Sequence, residues 1–224
     1  MAIHLTRHGE TWFNELDRVQ GWADSPLTSD GQDVATRLGE GIESSGMQID
    51  AAYSGDMLRH RQTAELILAG MGSDLPVDSK SELREMSFGG CEGDFNSELI
   101  DAVLGHAGVD SVEELVEKGS GKFAKLEMSE HFGAVNPNPD MPTETSEQVA
   151  DRALGALEEI ATEEGGEGHD DVLVVSSGLT IMCVLDALGY DVTDDIANAS
   201  MTTLVYADGQ WSIEGVNDTS LTDE

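Results

Sequence analysis

Two short stretches carry the residue types that do chemistry. In Arg7-His8-Gly9-Glu10-Thr11 an imidazole stands between a guanidinium and a glycine, at the end of the run AIHLT. A guanidinium holds phosphate in a bidentate fork, glycine lets the backbone come close, and an imidazole set between them is a nucleophile toward phosphorus. A lone histidine at a strand's end is just as often a satisfied core residue; the flanking Arg and Gly tip the balance. In VLVVSSGLT, Val172 to Thr180, an apolar run stops at Ser176-Ser177-Gly178 and a helical pattern, LTIMCVLDALG, starts at once. Such an edge exposes backbone amides where α/β proteins bind ligands. A serine nucleophile elbow does not fit it. That motif needs Gly two residues before the Ser and a His later in the chain, whereas Val174 or Val175 stands there and the last histidine is His169.

Alternating elements must position these stretches. AIHLT reads as a strand, LTSDGQDVATRLGEGIESSG as a capped helix closing on glycine, IDAAYSG as a strand and DMLRHRQTAELILAGMG as a helix. LPVDSKSELREMSFGGCEGD reads as a strand and a glycine-rich loop, TSEQVADRALGALEEIATEE as a long helix, and ASMTTLVYADGQWSIEGVND as a hairpin turning at Asp208-Gly209. The alternation predicts one α/β domain over 1–224, with a mostly parallel sheet and helices on both faces. Sites in such folds lie beyond the carboxyl ends of the strands, so Arg7-His8-Gly9, Ser54-Gly55-Asp56 and Ser176-Ser177-Gly178 become neighbours. The irregular segment 96–142 is a candidate cap over them.

The ordered series LTRHGETWFNE, QGWADSPLTSDGQ, YSGDMLRHRQTAE, LREMSFGGCEG, PTETSEQVADR and DVLVVSSG resembles the successive motifs of the histidine phosphatase superfamily, the phosphoglycerate mutase-like proteins. NASMTTLVYADGQW and VNDTS resemble it too, while Asn96 to Met141 carries no recognisable match. The resemblance implies a phosphohistidine mechanism that uses no metal and no cofactor. By position it makes His8 the nucleophile, Arg7 and Arg59 the phosphate-binding arginines, Asn14 a polar phosphate contact, and Glu85 the acid that protonates the leaving oxygen and then activates water. Gly178 follows in the phosphate-pocket wall, and Gln20 and Gly21 fall at the pocket mouth. A carboxyl near the phosphoryl group tends to be kept protonated by its charge, as an acid must be.

The pattern breaks at Ser177, which occupies the place of a second pocket histidine. A hydroxyl is a neutral donor where an imidazolium supplies charge as well, and losing one such group costs about 2.7–4 kcal/mol of transition-state stabilisation. No other histidine obviously replaces it: His169 is at the far end of the strand, His106 and His131 lie in the cap, and His60 reads as a partly exposed helix histidine. His4 shares a strand face with His8, but no third ligand completes a metal site. Glu10 and Thr11 read as the start of a helix. The function implied is a phosphomonoesterase of a small phosphorylated metabolite, weakened by Ser177; the alternative is a catalytically depleted phosphate binder. Only Arg152 follows Glu85, so the arginine pair of the mutase subfamily's cap is missing and a phosphatase is favoured over a mutase. Lys118, Lys122 and Lys125 have the spacing to share one helix face; balanced by glutamates they are a solvated face, and otherwise Lys122 and Lys125 attract an anionic substrate.

Composition sets the surroundings. No apolar run reaches membrane-spanning length and MAIHLTRHG lacks the marks of a signal peptide, so a soluble cytoplasmic protein is expected. Cys91 and Cys183 read as structural thiols of a reducing compartment. Forty-five acidic against eleven basic residues give a formal charge of -34, spread along the whole chain. No basic stripe exists to meet nucleic acid. Diffuse acidity of this kind is similar to that of salt-in halophile proteins, since molar salt shortens the Debye length to about 3 Å and removes self-repulsion. Thermal unfolding is therefore expected to move upward between low salt and molar KCl, and a melting temperature that stays put contradicts the halophile expectation.

Overall fold

The computed structural model describes residues 1–222. Strands β1 (Ala2–Arg7), β2 (Ala51–Ser54), β3 (Val77–Ser79), β4 (Asp171–Ser176), β5 (Met201–Ala207) and β6 (Gln210–Asp218) form one sheet in the order β3-β2-β4-β1-β5-β6. β3, β2, β4 and β1 run parallel, and β5 and β6 join antiparallel at one edge. The helices are α1 (Trp12–Glu15), α2 (Ser29–Ser45), α3 (Leu58–Gly70), α4 (Asn96–Ala107), α5 (Val112–Lys118), α6 (Ala124–Ser129), α7 (Phe132–Val135), α8 (Ser146–Glu167) and α9 (Gly178–Ala187). Among the described residues no helix is long and apolar enough to cross a membrane.

β4 shows why the sheet is covered on both faces. Its side chains alternate with the pleat, so Val172 and Val174 enter one core with α8 and α9, while Leu173 and Val175 enter a second with α2 and α3. The long helices begin and end where side chains satisfy their free backbone groups. Thr28 caps α2 and Thr145 caps α8 in a reciprocal box with Gln148; Gly46 and Gly168 close them in the left-handed conformation. The hairpin turns at Asp208-Gly209 as expected, both at positive φ.

The parallel pairing sets the site. Arg7 lies opposite Ser176 in the β1/β4 register, His8 N donates to Ser176 O at 2.9 Å, and Gly55 N donates to Val175 O at 2.9 Å. The three strand ends are thus side by side. Segment 96–142 is α4 to α7, and their apolar side chains, among them Val103, Leu115, Leu126 and Phe132, pack into the α8/α9 core. Lys118, Lys122 and Lys125 do not share a helix face: Lys118 ends α5, Lys122 lies between helices, and Lys125 is in α6. Cys91 and Cys183 are buried free thiols.

Candidate active site

His8 is buried in the turn after β1, and the backbone on either side of its ring is held in place. Gly9 N donates to Thr63 Oγ1 at 3.0 Å, Asn198 Nδ2 donates to His8 O at 2.8 Å, and a Cβ on Gly9 would lie 2.5 Å from Gly31 O. His8 Nδ1 stands 2.7 Å from Gly9 O. A carbonyl only accepts, so Nδ1 carries the ring proton and Nε2 keeps its lone pair. Burial first, then the Arg59 and Arg7 charges, hold the ring well below its usual pKa. The result is a neutral imidazole with a free Nε2.

Arg7 and Arg59 flank this ring in an incompletely bonded state. Arg7 Nη1 donates to Ile196 O at 2.5 Å, and burial lowers the guanidinium pKa, with Glu85 and Asp195 acting in the opposite sense. Arg59 comes from the first turn of α3 and is fully buried. Its Nη1 donates to Ala23 O at 3.2 Å and Asp24 Oδ1 at 2.9 Å, and its Nη2 to Gly21 O at 2.8 Å. Arg59 therefore does not offer a free fork to the pocket, contrary to the sequence expectation. The Nε atoms of both arginines are buried with no partner. Arg7 lines the pocket itself, whereas Arg59 lies outside the lining and acts on the His8 ring through its charge.

Glu85 reaches the same pocket from the loop after β3. Its oxygens accept from Met86 N at 2.8 Å, Leu179 N at 3.0 Å and Thr180 N at 3.0 Å, so the carboxylate caps α9. Both oxygens accept backbone N–H groups, which holds the carboxyl in place at the pocket wall. Arg152 fixes the loop by donating to Glu82 O, Arg84 O and Glu85 O and by pairing with Glu144 at 2.7 Å. Spacing alone gave Arg152 no such role.

The pocket encloses about 340 Å³ and is lined by Arg7, His8, Asn14, Gln20, Glu85, Gly178 and Lys125, as expected, together with Arg18, Val19 and Phe88. Asn14 Oδ1 accepts from Thr11 N at 3.2 Å in the α1 capping box, leaving its amide nitrogen for the pocket. Gln20 is tied to Thr11 and Ser25. A Cβ on Gly178 would come 3.3 Å from Arg7 Nε, so glycine there keeps Arg7 in place. Helices α4, α6 and α7 supply an apolar wall of Leu99, Ile100, Met128 and Phe132.

Four expectations are corrected. Lys122 lines a separate groove, where it pairs with Asp186 at 2.9 Å across to α9. Gly21 is buried, its N–H held by Glu92 at 3.0 Å, and does not reach the pocket. Glu10 lies before α1 and accepts from Thr28 Oγ1 at 2.8 Å, bracing the start of α2, while Thr11 does cap α1. His60 is not partly exposed but fully buried, with Nε2 2.7 Å from Ser177 Oγ and its ring centroid 5.5 Å from that of His8. The signal was in the spacing: His60, Ala64, Ile67 and Leu68 fall at i, i+4, i+7 and i+8, the inward face of α3. Ser177, also fully buried, stands at the N-cap of α9 without capping it. His4 is occupied by Asp171 at 2.8 Å and Thr203 at 3.3 Å.

Burial, then Arg59, His8 and Arg84, hold His60 well below 6.5, as burial and the arginines hold His8. As the pH falls the unfolded chain takes up these protons first. The two rings contribute full stability above about pH 6.5 and lose it on acidification, by about 1.4 kcal/mol per ring for each pH unit until the folded pKa is reached. In molar KCl the urea midpoint of the wild type is expected to drop between about pH 7.5 and about pH 5.5, and His60→Gln to shrink that drop; equal drops in both contradict a buried neutral ring.

Comparison with known proteins agrees with this geometry. A family model described as histidine phosphatase superfamily (branch 1) matches residues 3–105 and 98–219, including the segment where no motif was recognised from the sequence. A protein of Salmonella paratyphi A named "Probable phosphoglycerate mutase GpmB" is 30% identical over 220 residues, 96% of this chain and 89% of its own. The crystal structure of phosphoglycerate mutase from Bacillus anthracis str. Sterne is 35% identical with a TM-score of 0.89, over 99% of this chain and 95% of that one. Bacillus stearothermophilus YhfR follows at 26% identity and a TM-score of 0.75, over 99% of both chains. With its family motifs in order and its strand ends converging on His8, the chain belongs to the histidine phosphatase superfamily.

Proposed function

We propose that the protein is a phosphomonoesterase that works without a metal ion, through a phosphohistidine on His8. The observation that carries this reading is the free Nε2 of a neutral His8 in a pocket lined by Arg7 and Glu85, with the Arg59 charge acting on the same ring. In the first half-reaction Nε2 attacks phosphorus and the P–O ester bond breaks; the leaving oxygen takes a proton from the Glu85 carboxyl. In the second, water attacks the phosphohistidine, Glu85 takes a proton from that water, and the P–N bond breaks to release phosphate. The arginines stabilise charge on the phosphoryl oxygens, where positioning and electrostatics supply most of the rate.

The lining favours a small monoester with a partly apolar body. Of the pocket's other cations, Arg18 donates to Gly93 O at 2.7 Å and Lys125 pairs with Asp195 at 2.7 Å, while Leu99, Ile100, Met128 and Phe132 are apolar. Two of the relatives carry mutase names, but retaining a phosphoglycerate calls for cations dedicated to its carboxylate, and these two are already engaged. In a phosphate binder without turnover Glu85 would serve only as the cap of α9, and its place in the pocket lining would have no chemical use.

Turnover of an aryl phosphate and of 3-phosphoglycerate in molar KCl tests this. Aryl phosphate hydrolysis is expected, with Arg7→Ala slower by about 10²- to 10³-fold and His8→Ala inactive. Hydrolysis that survives His8→Ala, interconversion of phosphoglycerates outrunning hydrolysis, or phosphate binding without any hydrolysis each contradicts the proposal.

A further inference from the structure

The contact between His60 and Ser177 belongs to no role assigned so far. His60 Nδ1 is buried without a partner, and the ring lies against Gly55, where an added Cβ would come 2.1 Å from Nδ1. The glycine makes room for the imidazole and turns a Cα–H toward Nδ1. A lone pair on Nδ1 accepts that C–H weakly, whereas a proton there would be a buried N–H facing a C–H, at a cost of about 1–3 kcal/mol. The neutral ring therefore carries its proton on Nε2, which donates to Ser177 Oγ at 2.7 Å. Ser177 Oγ is then an acceptor toward His60, and its own proton has no acceptor among the described residues.

The hydroxyl is fully buried, one residue from the pocket lining. Ser177 is the next residue after Ser176, whose carbonyl receives His8 N–H, and it precedes Gly178 in the pocket wall. Its hydroxyl is also spared from capping α9, because the Glu85 carboxylate accepts the Leu179 and Thr180 N–H groups instead. We infer that His60 is a positioning residue acting through Ser177: its Nε2–H fixes the serine so that Oγ–H donates to an oxygen of the phosphoryl group in transfer to His8. Gly55, His60 and Ser177 form one unit, which supplies from α3 the second imidazole that the turn after β4 lacks. The inference rests on the phosphohistidine reading of the site.

Steady-state kinetics with an aryl phosphate in molar KCl, on variants shown to be folded by circular dichroism and urea midpoint, tests it. Ser177→Ala and His60→Ala are each expected to lower kcat by about 10²-fold with KM nearly unchanged, and the double variant to be no slower than the slower single, as for groups that act as a unit. His60→Ala combined with Ser177→His moves the imidazole to the hydroxyl's own position, and is expected to recover at least about tenfold over His60→Ala alone. A merely structural histidine gives no such recovery. Single variants that keep the wild-type kcat, losses that multiply in the double, or no recovery on relocation overturn the inference while leaving a His8-dependent phosphatase intact. A wild type that hydrolyses nothing overturns both together.

Discussion

The structure depends on holding two guanidinium groups against one neutral imidazole out of water. Arg7 and Arg59 each lower the basicity of His8, and each keeps one Nε–H unsatisfied. Buried cations of like sign repel, and unpartnered donors are costly, so the arrangement persists only because the surroundings over-determine it. Asp24 and the carbonyls of Gly21 and Ala23 hold Arg59; Ile196 O holds Arg7. Under the proposed phosphohistidine reading, charge held in place this way leaves little reorganisation for the reaction itself.

The fold meets this constraint with adjacent strand ends. β1 delivers Arg7 and His8, β4 delivers Ser177 and Gly178, and the turn after β2 feeds α3 with Arg59 and His60. Glu85 belongs to the loop after β3, far from these strands in sequence, and reaches the site because α9's free N–H groups bind its carboxylate and Arg152 binds the carbonyls beside it. One carboxylate thus serves as helix cap and candidate proton carrier. That dual use is what releases Ser177 to face His60.

Much of this was legible in the sequence because it rests on local patterns. Strand and helix alternation points to the sheet, and the strand-end rule puts the three turns together. The motif order gave His8, Arg7, Asn14 and Glu85, which do meet at the pocket. What escaped was set by side-chain contacts between distant elements. His60, expected to be a partly exposed helix histidine, has a spacing with Ala64, Ile67 and Leu68 that points inward, but a polar residue adds no hydrophobic signal to that face. Arg59's commitment to the 21–24 loop, Lys122's pairing with Asp186 and Arg152's grip on three carbonyls have no periodic signature. Ser177 looked like a loss because its partner lies 117 positions away in sequence.

Phosphoryl transfer to His8 Nε2 is tested most directly by trapping the intermediate. Wild-type protein is mixed with an aryl phosphate in molar KCl, quenched in alkali during steady state, digested, and mapped by mass spectrometry. Phosphate on the imidazole of His8, labile to acid and absent from His8→Ala, is the predicted result; turnover with no label on protein, or with the label on another side chain, contradicts it.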